Sequence, residues 1–431
     1  MYATAATAYP HHECRRSSAL FRALQFHPGL FNRRENSMNG VQTIQSETSA
    51  LTRVEAAIRP LLLCLSHLRW GFVYQRPQHI MSRMAQDYQV VFLEEPVLSD
   101  SPDIRLEQLP QACGVTVLVP HLPRKMQPDE VITAQRALLN RFIDAQHFGE
   151  LLLWYFTPMS LAFTDHLSAH VTIFDCMDEL SAFKGAPPEL VEQEKALMKR
   201  ADVVFTGGFS LWETKRLQHA NVHAMPSSVD VGHFAAARSG QSDPEDQQYI
   251  PYPRLGFFGV IDERFDIGLI QQLAELQPHW QIVLIGPVVK IDPASLPHLA
   301  NVHYLGSKSY DDLPAYLSGW DVALMPFALN DSTRFISPTK TPEYLAGGCP
   351  VVSTRIADVV RAYGESGVVA IADDADGFVR AIQEALAHKG TIDFLRKVDA
   401  LLVGESWDNT CAAMKAQIAL VAIGEHIECL G

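Results

Sequence analysis

The stretch SPTKTPEYLAGGCPVVST, residues 337–354, packs a polar turn, a short helix, a double-glycine stop and a buried strand into eighteen residues. Ser337-Pro338 and Thr341-Pro342 each pair an oxygen-bearing side chain with a following proline, the pattern of a capped helix start. Gly347-Gly348 ends the helix, and Pro350 bars its continuation. Backbone N–H groups at a helix N-terminus attract anions. Lys340 adds a mobile positive charge there, and Glu343 follows within one turn, where its carboxylate can accept hydrogen bonds from sugar hydroxyls. An anion site beside a hydroxyl-binding carboxylate points to a nucleotide or a nucleotide sugar.

Working outward, this stretch belongs to a series of short apolar runs: RLGFFGV (254–260), QIVLIGP (281–287), VHYLG (302–306), DVALMPF (321–327), PVVST (350–354) and GVVAIA (367–372). An earlier series precedes it: LLLCLS (61–66), QVVFLEE (89–95), VTVLVP (115–120), ELLLWYF (150–156), VTIFDC (171–176) and DVVFTG (202–207). Most runs are continuously apolar, as parallel strands buried on both faces are. Helical patterns between them, such as 76–85, imply βαβ units. The polar stretch ARSGQSDPEDQQY (237–249) reads as a linker.

The reading is therefore α/β. A Rossmann-like, doubly wound domain at 58–236 and a second at 251–408, joined by a linker at 237–250, face each other across a cleft. A C-terminal helix follows at 409–431, with apolar periodicity in AAMKAQIALVAI (412–423). Ligands of such sheets sit at the carboxyl ends of the strands. Residues 1–57 have no sustained period and read as a disordered extension; Met38 heads a second plausible start, and no apolar h-region marks a secretory signal.

The 431 residues are 47% hydrophobic, enough for two ordinary domains, and the net charge of −14 argues against a nucleic-acid partner. No apolar run approaches the ~18 residues a membrane helix needs. Seven cysteines, at 14, 64, 113, 176, 349, 411 and 429, are odd in number and lack paired spacing, which fits free thiols in the cytoplasm. Peripheral contact with the inner membrane face is left open.

At this point the chain resembles a glycosyltransferase of the GT-B fold, in the large retaining group known as glycosyl transferases group 1. Four blocks, within roughly residues 60–410, carry the resemblance. SPTKTPEYLAGGCPVVST resembles the donor-binding block, and GFFGVIDERFDIGLI (256–270) the glycine-containing loop after the first strand of the C-terminal half. ADVVFTGGFSLWETKRL with VHAMPSSVDVGHF (201–234) is similar to the exit from the N-terminal half. SHLRWGFVYQRPQHIMSRMA (66–85) takes the place of the loop and helix that usually meet the acceptor. Departures are visible too. Phe335 stands where the first of two spaced glutamates is usual, Val260 follows the loop glycine in place of an arginine, and Met177 precedes Asp178 where a histidine is usual.

The resemblance implies transfer of a sugar, with retention, from a nucleotide diphosphate sugar to a glycan or lipid-linked acceptor. The setting would be cell-surface polysaccharide or glycoconjugate biosynthesis, by a hexosyltransferase-like enzyme that uses no metal or further cofactor. It also implies that the departing phosphate can take the acceptor proton.

Negative charge grows on the leaving diphosphate, so a catalyst needs fixed positive charge and N–H dipoles there. Lys340, Arg264 and the amides around Ser337, Thr339 and Thr341 can supply them, although Arg264 lies among three acids and can equally form an ion pair. Glu343 is the expected ribose clamp. Gly259 and Gly286 end strands where a side chain would block a ligand, and Arg334 is a candidate for reading a phosphate or carboxylated sugar. Asp178 can receive the acceptor proton, bind a donor hydroxyl or simply cap the next turn. His67, Arg69, Tyr74, Arg76 and His79 form the candidate acceptor rim. No acidic pair of the DxD type follows a strand in the donor half, so no metal site is expected. A nucleotide-sugar epimerase and a non-catalytic nucleotide-sugar binder remain alternatives. A nicotinamide dehydrogenase is disfavoured because no G-x-G-x-x-G joins a strand to a helix.

Overall fold

The computed structural model describes residues 59–428. The expected disorder of 1–57 and the second start at Met38 lie outside the described residues.

The continuously apolar runs form two sheets. The first holds β1 (Leu61–Leu65), β2 (Gln89–Leu93), β3 (Val97–Ser99), β4 (Arg105–Pro110), β5 (Thr116–Pro123), β6 (Leu151–Tyr155), β7 (Val171–Cys176), β8 (Val203–Thr206) and β9 (Val222–Ala224). Its order is β3-β5-β2-β1-β6-β7-β8-β9, all parallel, with β4 added antiparallel on β5. The second holds β10 (Arg254–Phe258), β11 (Gln281–Ile285), β12 (Val302–Gly306), β13 (Val322–Met325), β14 (Val351–Ser353) and β15 (Val369–Ile371), in the order β12-β11-β10-β13-β14-β15. Each sheet is doubly wound. The strand order reverses beside β1 in one and beside β10 in the other, which makes those carboxyl ends the natural crevices.

Strand alternation sorts the N-terminal core. Leu61, Leu63 and Leu65 enter one apolar cluster, whereas Leu62 and Cys64 enter the cluster on the opposite face. A third cluster fills both faces of the second sheet.

Tertiary contacts fix the place of two stretches whose packing the sequence left open. Residues 237–250 have a linker's composition, yet they are tied to the second sheet. Arg254, 1% exposed, donates to Asp243 Oδ2 (2.6 Å) and to the Ile250 carbonyl (2.7 Å), and Trp320 Nε1 donates to Gln247 Oε1 (2.8 Å). The C-terminal helix spans Trp407–Glu428 and packs on the N-terminal half against β7, β8 and the helix at Arg76–Met84, where Trp407, Cys411, Met414 and Ile418 complete the apolar cluster on that face of the sheet. Arg83–Asp408 (2.6 Å) and Lys415–Asp87 (2.7 Å) close its edges.

The helix in the opening stretch starts differently from its sequence reading. It runs Lys340–Ala346 from Thr339, which makes no side-chain cap, so neither proline takes the first helical position. Pro342 falls third, where its missing N–H forfeits no intrahelical bond. The double glycine does end it: Gly348 adopts φ +74°, its N–H reaches the Leu345 carbonyl (2.8 Å), and Cys349 N–H reaches that of Tyr344 (3.0 Å).

Candidate functional site

Between the two sheets lies a cavity of about 700 Å³. Its floor on the second sheet is built from loops at the carboxyl ends of β10, β11, β12 and β13. Its opposite wall comes from residues 70–76 after β1 and residues 177–178 after β7. Of the candidate residues, Gly259, Arg264, Gly286, Ser337, Thr339, Lys340 and Glu343 meet here from one side, and Tyr74, Arg76 and Asp178 from the other.

Lys340 and Glu343 form the centre. Both sit in the first turn of the same helix, and no hydrogen bond or ion pair from the described residues reaches either side-chain head. Glu343 is 5% exposed. Burial pushes its carboxyl well above the usual range, with Lys340 pulling the other way. Burial, and then Arg264, lower the Lys340 ammonium, while Glu343, Asp262 and Asp178 oppose the shift. A buried carboxylate and a desolvated lysine without hydrogen-bond partners are costly unless a ligand supplies them.

Two glycines make room for this lysine. A Cβ on Gly259 (φ +142°) would lie 2.0 Å from Lys340 Cε, and one on Gly286 (φ +140°) would lie 1.8 Å from the Gly259 carbonyl oxygen. Both φ values lie in the region that favours glycine. The two strand ends therefore nest, and the lysine stem runs over them into the cavity.

Arg264 is aimed by Asp262, which is 3% exposed. Nε donates to Oδ1 (3.0 Å) and Nη2 to Oδ2 (2.7 Å), a two-point contact that fixes the guanidinium plane. The sequence alternative of an ion pair for Arg264 is thus realised, and the same pair leaves the group facing the cavity. The far side of the cation lies 5.3 Å over the ring of Phe183, from the N-terminal half. Burial first, against the pull of Arg264 and Arg76, raises the Asp178 carboxyl.

The rest of the sequence-derived set falls elsewhere. Arg334 is exposed, rests 5.1 Å over the Phe335 ring and does not line the cavity. Thr341 is fully buried, with an Oγ1 that finds no partner. Arg69 is held by Glu94 Oε2 (2.8 Å) and the Glu95 carbonyl (2.6 Å). His79 is 2% exposed and stacks on Trp407 at 4.7 Å; burial drops its imidazole to about 3. Burial likewise lowers His67 to about 4, and its Nδ1 has no partner. Arg76 reaches the wall, but its guanidinium is engaged by Asp175 (2.9 Å) and the Met225 carbonyl (2.7 Å). The expected basic acceptor rim is therefore largely consumed by the N-terminal lobe's own ion pairs and ring stacking.

Several cavity residues were not among the candidates named from the sequence. Trp70 and Phe72 line the N-terminal wall in a loop stapled by fully buried Gln78, whose Nε2 donates to the Trp70 (2.8 Å) and Val73 (3.0 Å) carbonyls. Tyr310, in a turn after β12, and Asp230, at a helix start, line the same cavity as Glu343. A single aromatic residue or helix cap has no pattern that marks it in sequence. Asp262 was visible only as one of the acids beside Arg264.

Among the described residues, no group of three His, Cys, Asp or Glu side chains is placed to hold a metal, and no helix is long and apolar enough to cross a membrane.

Comparison with known proteins agrees with this layout. Residues 252–388 match the family described as Glycosyl transferases group 1. Over 301 residues, 65% of this chain and 71% of the relative, the sequence is 25% identical to a putative teichuronic acid biosynthesis glycosyltransferase, TuaH, of Bacillus subtilis. Among solved structures, sucrose-phosphate synthase from Thermosynechococcus elongatus aligns with a TM-score of 0.61 at 14% identity, over 86% of this chain and 100% of that one. HepE from Anabaena, in complex with UDP, aligns with a TM-score of 0.58 at 13% identity, over 84% of this chain and 100% of that one. The fold is GT-B, and the matches support glycosyltransferase activity.

Proposed function

We propose that the cleft transfers a sugar from a nucleotide diphosphate sugar, held on the second sheet, to a glycan or lipid-linked acceptor entering along the 70–76 loop. The observation that carries this reading is the Lys340–Glu343 pair. Two desolvated groups of opposite charge, without hydrogen-bond partners, face a cavity at the switch point of a doubly wound sheet.

Lys340 and the Asp262-braced Arg264 sit where a diphosphate would gain charge as the sugar–oxygen bond breaks. The amides of Ser337 and Thr339, on either side of Pro338, add N–H dipoles. With only seven residues, the helix contributes these local N–H groups rather than a long macrodipole. Glu343 accepts from the ribose hydroxyls, and Gly259 and Gly286 let the phosphates approach the backbone. Asp178 reaches from the other lobe toward the transferred sugar. Retention follows if the departing phosphate itself takes the acceptor proton, which suits a site whose cations crowd the leaving group.

Two built-in cations at the diphosphate also favour metal independence, and activity should persist in excess chelator. The Bacillus relative's role in making a cell-wall polymer supports a place in surface-polysaccharide biosynthesis, with the active cleft on the cytoplasmic side and peripheral contact at the membrane. Neither an epimerase nor a non-catalytic binder is favoured, because the open wall at 70–76 leaves room for a second substrate.

The test is a thermal-shift panel of nucleoside diphosphates and their sugars. Ligand at 100 times its dissociation constant should add about 2.7 kcal/mol of stability. Lys340→Ala and Glu343→Ala should both abolish the shift; a shift retained by both variants would place the donor elsewhere.

A further inference from the structure

Tyr310 lines the cavity and is clamped by both halves of the molecule. It follows β12, in a turn closed by Ser309, whose Oγ accepts from Asp312 N–H (3.2 Å). Its ring stacks on His233 (4.4 Å between centroids, 9° between planes) and leans on Tyr74 of the opposite lobe (4.6 Å, 30°). His79 and Phe234 meet it edge-on at 5.3 and 5.5 Å. His233 Nε2 lies 3.0 Å from the Tyr310 carbonyl oxygen, so backbone and ring are both pinned.

The hydroxyl at the end of this fixed ring is buried and has no hydrogen-bond partner. A buried phenol normally finds one. Tyr310 and Glu343 line the same cavity, and the carboxyls of Glu343 and Asp230 lie near enough to add to burial in holding the phenol protonated. The group is therefore a donor at physiological pH, not a base. Glu343, once ionised, can only accept. A vicinal diol gives its protons to such a carboxylate and leaves its oxygens in need of a donor.

We propose that the Tyr310 hydroxyl is a specificity-determining group that reads the ribose of the nucleotide, donating to one of the two vicinal hydroxyls whose protons Glu343 accepts. This rests on the donor reading above and extends it to a residue outside the helix that carries Lys340 and Glu343.

The experiment is a cycle between protein and ligand. Affinities of UDP, ADP and GDP, and of their 2′-deoxy and 3′-deoxy counterparts, are measured by calorimetry at pH 8 on the wild-type protein and on Tyr310→Phe, which keeps every ring contact. The wild type should prefer the ribonucleotide to at least one deoxy form. Tyr310→Phe should narrow that preference by about 2- to 12-fold, the range of one neutral hydrogen bond, while barely changing affinity for the deoxy ligand. An unchanged ratio in Tyr310→Phe overturns the proposal. So does a wild-type protein that binds ribo and both deoxy forms equally, a result that needs no variant. If the wild type binds no nucleoside diphosphate at all, the donor reading falls first and this inference with it.

Discussion

At the scale of single residues, the site is a problem of charge placed out of water. Glu343 and Lys340 share one helical turn, and burial moves each toward its neutral form. The Glu343 carboxyl is raised to about 7, from an ordinary value near 4.5. Between those values the folded protein binds more protons than the unfolded chain, so this group's contribution to stability is full at acid pH and is lost as pH rises through about 7. The comparison with Glu343→Gln isolates that contribution: the wild type's stability relative to the variant should decline from pH 5 to pH 8 in urea titrations. Binding runs the opposite way. Ribose hydroxyls need the ionised carboxylate, so nucleoside diphosphate affinity should weaken below about pH 7 in the wild type, and Glu343→Gln should bind weakly with a flatter profile. Lys340→Ala should lower turnover by about 10²–10³-fold with intact folding, as loss of one leaving-group donor does. A turnover within a fewfold of wild type would remove Lys340 from the reaction.

At the scale of elements, strand ends carry the constraints. Gly259 and Gly286 close two neighbouring strands in conformations that favour glycine, with no space for a Cβ. Gly259→Ala must displace the Lys340 stem. It should therefore weaken nucleotide binding more than it lowers the melting temperature, as calorimetry and thermal unfolding would separate. Gly348→Ala strains a left-handed helix stop (φ +74°) and should cost about 1–2 kcal/mol of stability. Its effect on binding should be the smaller of the two. Phe335 illustrates a different constraint. Where the resembling family usually has a glutamate, this side chain packs against the apolar cluster of the N-terminal half. That position joins the lobes here, so the side chain is spent on packing and not on the cavity.

At the scale of the whole molecule, contacts outside the cavity lining also tie the halves together. Asp358 accepts from Ser210 N–H (2.9 Å) at the start of a helix in the opposite lobe, and Arg361 pairs with Glu213 beside it. The C-terminal helix returns to the first lobe and buries Trp407 and Met414 there at 0% exposure each. Uncovering such side chains costs about 1.5–3 kcal/mol apiece. Truncation after Gly404 should thus destabilise the N-terminal half, with an earlier urea transition and greater dye binding, even though the residues removed lie far along the chain from β1. A truncated protein as stable as the full chain would mean the helix is dispensable to the core.

Continuous apolar runs such as LLLCL and VTIFDC announced parallel strands, because burial on both faces leaves no room for alternation. The glycine-rich stop, the lysine and the glutamate of the donor block were equally legible, since they lie within one turn or one loop of each other. The acceptor rim misled for the converse reason. His79, Arg69 and Arg76 are close in sequence, but their partners Trp407, Glu94 and Asp175 come from elsewhere in the chain. Charge or an aromatic ring at one position says nothing of whether a distant group will neutralise or cover it. Tyr310 is the same case inverted: an ordinary loop tyrosine becomes a clamped, unpartnered donor when β12, the helix at 231–235 and the wall at 74–79 converge. Local pattern records backbone preference and hydrophobic burial, whereas the state of a polar side chain depends on which remote atoms the completed fold brings within a few ångströms of it.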